Sequence, residues 1–324
     1  MSQRIDIHHH FMPRRYMLEE QERNPGYKHG GTTAARLTSW TPERSIELMD
    51  EHGIACAIGS LSTPGAWFGE VPAARRLSRE WNEAAAAAVR DHPSRFGFLG
   101  VVTPPDTEGA LKEIEYALDI LKADGIGLLS NYDGKSLGDP AFAPVFEELN
   151  RRRCVVYIHP AMHPYTAKLV SGLMPQGIEF PFDTVRTIAS LLVNGTLARC
   201  PDARFIFSHG GGALPFLAAR LTHVCDGLDA VREMNPHGVD YELRRLYCDT
   251  AFASSRPQLA AMLAFFPETH ILYGSDYPFG APEHGIEELA AYPLSGALRA
   301  AIETENTLAL FPRLRAAKRK AGQT

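Results

Sequence analysis

Eight short runs rich in β-branched, aliphatic and aromatic residues recur along the chain, and the stretches between them are helical in pattern. The runs are "IDIHHHF" from Ile5, "ACAIGSLS" from Ala55, "FGFLGVVT" from Phe96 and "GIGLLSNY" from Gly125, then "VVYIHP" from Val155, "RFIFSHGG" from Arg204, "LYCDTAFA" from Leu246 and "HILYGSDYPF" from His270. Between them lie "PERSIELMDEHG", "RRLSREWNEAAAAAVRDH", "EGALKEIEYALDILKADG" and "PAFAPVFEELNRRR". Several of these open on Pro or a polar cap and close near Gly, as helix boundaries do. Strands joined by helical crossovers predict a parallel sheet, and eight such units predict an α/β fold closed into a (β/α)8 TIM barrel. An open doubly wound sheet is the alternative. No G-x-G-x-x-G follows the first run, which counts against a dinucleotide-binding version of it.

Two stretches break the rhythm. Residues 12–44, after the first strand, and 160–185, after the fifth, carry Pro, Gly, Tyr and Trp rather than a clean helix. Both follow the carboxyl end of a strand, the face on which barrel active sites are built, and they are expected to be long loops covering a substrate. One domain is expected over residues 1–312. The basic end "RLRAAKRKAGQT", 313–324, is expected to be a frayed, solvated tail.

The chain has 324 residues with 45% apolar and 22% charged side chains, enough for a substantial core. A net charge of -5 and a pI near 6.2 give no reason to expect nucleic acid or an anionic membrane as partner. No apolar run reaches membrane-spanning length, and the amino terminus lacks the pattern of a signal peptide. The five cysteines form no C-x-x-C pair, so buried reduced thiols and a cytoplasmic protein are expected.

Polar residues gather at the ends of these strands. The first ends in His8-x-His10, the fifth in His159-Pro160, the sixth in His209-Gly210-Gly211-Gly212 and the eighth in Asp276-Tyr277-Pro278. On a strand, side chains alternate between faces, so Asp6, His8 and His10 are expected on one face and His9 on the other. A single histidine at a strand end is more often structural than functional; agreement at four strand ends of one barrel is the signal. Imidazoles and a carboxylate converging at the barrel mouth form an N/O ligand set for a catalytic divalent ion. Zinc suits three imidazoles best, and manganese or iron also fits the set. The fourth strand offers neither lysine nor glutamate as a bridging ligand, so a mononuclear site is expected.

These motifs resemble the amidohydrolase superfamily in its decarboxylase branch. The chain is similar to relatives of α-amino-β-carboxymuconate-ε-semialdehyde decarboxylase and γ-resorcylate decarboxylase, and most similar to 6-methylsalicylate decarboxylase-type proteins. The matching stretches include "IDIHHHFMP", "WTPERSIELMDEHGI", "VVYIHP", "EFPFDTVRTIASLLVNGTLARCPDARFIFSHGGGALPFLAARL" and "LYGSDYPF". The resemblance implies that His8, His10, His159 and Asp276 hold the metal and that His209 is a nearby acid/base. It places Arg36, in "RLTSW", on the substrate carboxylate. It places Arg220 in a neighbouring subunit's pocket, which implies a homodimer. Two departures stand out: Ala161 occupies a position where the semialdehyde decarboxylase has tryptophan, and His8 is kept where the γ-resorcylate type has glutamate.

The expected reaction is nonoxidative decarboxylation of an ortho-hydroxybenzoate-type carboxylate, 6-methylsalicylate-like, with one divalent metal ion and no organic cofactor. Asp276, or His209 through water, is expected to protonate the carboxylate-bearing carbon. Trp40, Trp67, Tyr132, Tyr165 and Phe182 are the aromatic residues expected to wall the substrate slot. The alternative is hydrolysis of a lactone, ester or amide by water activated at the same metal. A non-catalytic metal-binding barrel is disfavoured by the completeness of the set.

Overall fold

A computed structural model describes residues 4–25, 27, 32–166, 170 and 172–315. Eight parallel strands form its centre in sequential order: β1 (Arg4–His10), β2 (Ile54–Ser60), β3 (Phe96–Val101), β4 (Gly125–Leu129), β5 (Val155–His159), β6 (Arg204–Phe207), β7 (Tyr247–Asp249) and β8 (Ile271–Leu272). The ring closes through backbone bonds between its first and last members. Ile7 donates to the Tyr273 carbonyl (3.1 Å), Asp276 to that of His8 (2.8 Å) and His10 to that of Tyr277 (2.7 Å). The expected TIM barrel is the observed fold.

Side chains from within the ring form their own cluster. Ile5, Ile7, Cys56, Ile58, Leu99, Val155, Tyr157, Ile206 and Leu272 pack together, and Phe311 and Leu314 join them. Burying each of these last two side chains contributes roughly 1.5–3 kcal/mol. Next to Leu99 the ring has no room for another side chain: a Cβ on Gly125 would lie 2.5 Å from the Val155 carbonyl and 3.0 Å from Leu99. A second, larger cluster fills the space between strands and helices.

The helices follow from ordinary rules. Helix α1 is Arg14–Arg23, α2 is Ala34–Thr38, and α3 is Pro42–Glu51, opened by Thr41, whose side chain accepts from the Arg44 N–H. Helix α4 (Val71–Asp91) buries Ala74, Leu77, Trp81, Ala85 and Ala88, the three-and-four spacing of one helical face. Trp81 donates its indole N–H to the Phe11 carbonyl at 3.2 Å, tying α4 to the mouth of β1. Helix α5 is Thr107–Glu115, α6 is Ala143–Arg151, α7 is Glu179–Val193, α8 is Leu214–Asp226 and α9 is Arg256–Phe265. Among the described residues no helix is long and apolar enough to cross a membrane.

Three expectations need correction. Among the described residues, the stretch 12–44 lacks one long helix, as expected, but holds two short ones, α1 and α2, that were not expected; α3 begins at Pro42, where its pattern predicts a helix. The stretch after β5 ends at Ile178, where α7 begins, and among its described residues the one regular piece is a 3₁₀ turn, Pro175–Gly177. The expected tail is anchored at its start: Leu314 is fully buried and Arg313 pairs with Asp124 at 2.6 Å. Residues 316–324 lie outside the described residues. All five cysteines are free and buried, and burial pushes the thiols of Cys56 and Cys154 up to about 12, which leaves them inert.

The register of β1 departs from simple alternation. Asp6 pairs with Ala57 but His9 pairs with Gly59, so β1 carries one more residue than β2 over this interval, a β-bulge. The bulge shifts the phase of the strand. Ile5 and Ile7 sit in the inner cluster below it, while His8 and His10 take the inward direction above it. Asp6 therefore does not share a face with His8 and His10. Its carboxylate accepts from the His9 ring (3.1 Å) and from the Ser275 N–H and hydroxyl (3.0 and 2.6 Å). His9 points outward, as expected, and its Nε2 meets the Ser45 hydroxyl of α3 at 3.0 Å.

Candidate metal centre

Three histidines are held in one tautomer by their own surroundings. His159 Nδ1 lies 2.8 Å from the Pro160 carbonyl, which can only accept, so Nδ1 carries the proton. His8 Nδ1 lies 3.1 Å from Asp249 Oδ2 and is a donor for the same reason. His10 Nδ1 lies 3.1 Å from the Ser60 hydroxyl, whose hydrogen goes to the His9 carbonyl at 3.4 Å. That leaves Nε2 as the ring nitrogen each of them presents to a further partner. Two of these face each other, with His8 Nε2 and His10 Nε2 3.1 Å apart.

Asp276 completes the convergence. Its Oδ1 is 3.1 Å from His8 Nε2 and 2.9 Å from His10 Nε2, and its Oδ2 is 3.3 Å from His209 Nε2. One donor atom each from His8, His159, His209 and Asp276 lies within 4.8 Å of all the others. Lone pairs and a carboxylate so close together repel unless positive charge stands between them. Burial opposes charge on His8, yet the Asp249 and Asp276 carboxylates outweigh it and raise its pKa to about 10. Burial also raises the Asp276 carboxyl, but His8 together with hydrogen bonds from His10 and His209 holds it well below the usual range. Burial keeps His159 neutral, well below its ordinary value. His159 is neutral and Asp276 ionised, the ligand forms a divalent cation takes, and a cation would displace the proton that the carboxylates hold on His8, so the residues fit one.

Backbone geometry keeps the groups at the mouth. His209 (φ 55°) and Asp276 (φ 63°) both sit in the left-handed region, costly for residues with a Cβ and concentrated at functional sites. The glycines after His209 are required by space: a Cβ on Gly212 would strike the Pro181 carbonyl. Gly274 has the same role under the metal centre, where a Cβ would lie 2.7 Å from the His8 Cβ and 3.1 Å from the Asp249 Cβ. Gly274→Ala should therefore lower stability by about 1–3 kcal/mol and displace His8. Thermal melting read together with metal content checks this, and an alanine variant matching the parent in both would contradict it.

Above the centre lies a cavity of about 700 Å³ with His159, His209 and Asp276 among its lining residues. Its aromatic walls are Phe180, Phe252, Phe279 and Tyr27. Phe252 is 60% exposed and, at φ 48°, holds a left-handed backbone conformation beside His209, their rings 6.2 Å apart.

The aromatic residues expected to wall the substrate slot do not line this cavity. Trp40 is a core residue, packed at a tilt against Phe11 with ring centres 5.1 Å apart and bonded through its N–H to Ser45. Tyr132 is buried, its hydroxyl accepting from the Leu129 N–H and donating to the Val102 carbonyl. Phe182 faces solvent on α7 with Arg186 6.0 Å from its ring centre, Trp67 donates to Asp133, and Tyr165 is 83% exposed. Arg36 is exposed on α2 and is not in the cavity lining; Arg220 is exposed on α8, as a residue expected in a neighbouring subunit's pocket has to be. Residues that sequence reasoning missed include Asp249, Ser60 and Tyr157, whose hydroxyl donates to Asp249 Oδ2 at 2.9 Å. A sequence signal existed for Phe252 and Phe279: both stand a few residues beyond a strand end, in "DTAF" and "DYPF".

Comparison with known proteins finds relatives along nearly the whole chain. A decarboxylase of Aspergillus niger, yanB, is 38% identical over 330 residues, covering 96% of this chain and 88% of the relative. The 6-methylsalicylic acid decarboxylase acuB of Aspergillus aculeatus is 37% identical over 333 residues, covering 97% of this chain and 98% of its own. In fold, the chain is similar to the crystal structure of a 5-carboxyvanillate decarboxylase from Novosphingobium aromaticivorans complexed with manganese and 4-hydroxy-3-methoxy-5-nitrobenzoic acid. That similarity has a TM-score of 0.86 and 23% identity, and covers 96% of each chain. The family model described as amidohydrolase matches residues 5–313, nearly the whole barrel, and the chain belongs to that family.

Proposed function

We propose that this chain is a metal-dependent, nonoxidative decarboxylase of an ortho-hydroxybenzoate-type carboxylate, 6-methylsalicylate-like in size and substitution. The observation that carries the reading is the convergence of His8, His10, His159, His209 and Asp276 on one point under an aromatic-walled cavity. Relatives that are decarboxylases over almost the full length of both chains support the reaction class. In this reading His8, His10, His159 and Asp276 hold one divalent cation. Three imidazoles favour zinc, and the fold neighbour that binds manganese makes that ion the second choice. The bound cation supplies Lewis-acid charge to the phenol and carboxylate oxygens of the substrate.

The chain's own residues do the rest. Phe252 and Phe279 flank the aromatic ring and exclude water. A cation held at the centre would be a positive anchor for a substrate carboxylate. His209, 3.3 Å from Asp276 Oδ2, shares a proton with it and serves with it as the acid. The proton forms a new C–H bond at the carboxylate-bearing ring carbon. The C–carboxylate bond then breaks, its electron pair restores aromaticity, and carbon dioxide leaves. The ring and its phenol act as the electron sink, so this reaction needs no organic cofactor. Exposed Phe182 and Phe216 on α7 and α8, with Leu173 and Met174 on the loop before α7, support association of two copies. Five free cysteines support a reducing, cytoplasmic location.

Mass-resolved turnover of 6-methylsalicylate, with a panel of hydroxybenzoates and lactones, tests the reading. The expected product is lighter than its substrate by carbon dioxide, with activity lost to a chelator and restored by zinc or manganese. A product heavier by water would make the protein a hydrolase. Folded, metal-loaded protein inactive on every ortho-hydroxybenzoate would sink the proposal.

A further inference from the structure

Asp249, at the end of β7, is completely buried, and both of its oxygens are fully engaged. Oδ2 accepts from His8 Nδ1 at 3.1 Å and from the Tyr157 hydroxyl at 2.9 Å. Oδ1 faces the other way and accepts from the backbone N–H groups of His209 (3.1 Å) and Ala251 (3.0 Å). One carboxylate therefore touches a residue on β1 and the strained backbone after β6. We propose that Asp249 is a positioning residue that sets the metal ligand and the acid together: it fixes His8 with its proton on Nδ1, and it pins His209 so that its ring meets Asp276. The proposal rests on the reading of the site given above.

The chemistry of the four bonds explains why the residue is an aspartate. All four neighbours are donors, so all four need an acceptor, and only a carboxylate presents acceptors on both sides. Asparagine has one acceptor oxygen. If that oxygen turns to the backbone, the amide nitrogen faces His8 Nδ1 as a second donor. His8 then must move its proton to Nε2, the atom that is to bind the cation. If the oxygen turns to His8, the amide nitrogen meets the N–H groups of His209 and Ala251 and the left-handed turn loses its anchor. Glutamate does not suit either, because its extra methylene moves the carboxylate away from four donors already placed at 2.9 to 3.1 Å from the Asp249 oxygens. Buried carboxylates behind ligating histidines orient the ring and raise its basicity. Here the same group also holds the acid, so its loss affects metal affinity and proton delivery together.

The test is Co²⁺ binding by wild-type protein and Asp249→Asn, read from the cobalt absorption bands under chelator competition, with circular dichroism on both. The expected result is a folded variant whose Co²⁺ affinity is weaker by about 10–100-fold, with altered absorption bands. On Zn²⁺-loaded wild type, long-range ¹H–¹⁵N spectra should show the His8 proton on Nδ1. Equal Co²⁺ affinity in variant and wild type overturns the inference, as does a wild-type His8 with its proton on Nε2. The second measurement decides the matter if Asp249→Asn does not fold. Wild type that takes up no Co²⁺ overturns the reading of the site itself, and the inference falls with it.

Discussion

Asp276→Asn should lower the turnover of an ortho-hydroxybenzoate by about 10⁴-fold or more, the upper end of what one positioned acid–base group contributes. The carboxylate has two assignments in the proposed mechanism, and asparagine fails in both. Oδ1 lies within 3.1 Å of both His8 and His10, where only an acceptor bearing negative charge suits a cation held between them. Oδ2 faces His209 and shares its proton. Because the carboxyl is held well below the ordinary range, it is ionised throughout the neutral region and asparagine cannot mimic it. The variant should still fold. Asp276 has φ 63°, and asparagine tolerates the left-handed region better than any other residue except glycine. A melting temperature near the parent's, a reduced metal content by elemental analysis and a collapsed kcat form the expected pattern. Activity within tenfold of wild type would remove Asp276 from the mechanism.

His209→Asn should cost about 10²–10⁴-fold in kcat while leaving metal content near that of the parent. Asparagine again suits the backbone, since His209 has φ 55°, and its N–H still reaches Asp249. What disappears is an imidazole that can carry a proton to the ring carbon. Metal content gives this variant its value. His209, like His159, is one of four residues whose donor atoms all lie within 4.8 Å of one another, so geometry alone allows it to be a ligand. Loss of metal together with activity would move His209 into the ligand set. Full turnover with metal retained would end its assignment as the acid.

Features governed by local periodicity were legible in the sequence. The eight strands, their parallel order and the four strand ends bearing His8, His10, His159, His209 and Asp276 follow from runs of apolar residues and the alternation of side chains along a strand. The bulge in β1 was not legible, because an extra residue leaves no mark when both phases of "IDIHHHF" read as plausible strands. Asp6 was consequently placed on the wrong face. Helix α1 was missed because "RRYMLEEQER" buries only Tyr16, Met17 and Glu20, too weak a stripe to stand out. Trp40 and Tyr132 show the limit for aromatics in connecting segments: composition says that such a residue will be buried, but packing decides whether it faces the core or a cavity. Asp249 lay in a strand that was recognised, yet its partner His8 is 241 residues away, and nothing near "YCDT" reports it.

The donor atoms also have an order in time. His8 and His10 belong to the first strand and Asp276 follows the last, and the backbone bonds that join them, Asp276 N–H to His8 and His10 N–H to Tyr277, are the ones that close the ring. These are among the most sequence-distant pairings in the chain, and contacts of that kind are slow to form. A chain not yet closed has histidines at the amino-terminal edge and no carboxylate to complete the cage. A cation that binds only the finished arrangement stabilises that arrangement and no other. It would act as a rivet through the seam of the barrel, coupling completion of the fold to acquisition of the chemistry.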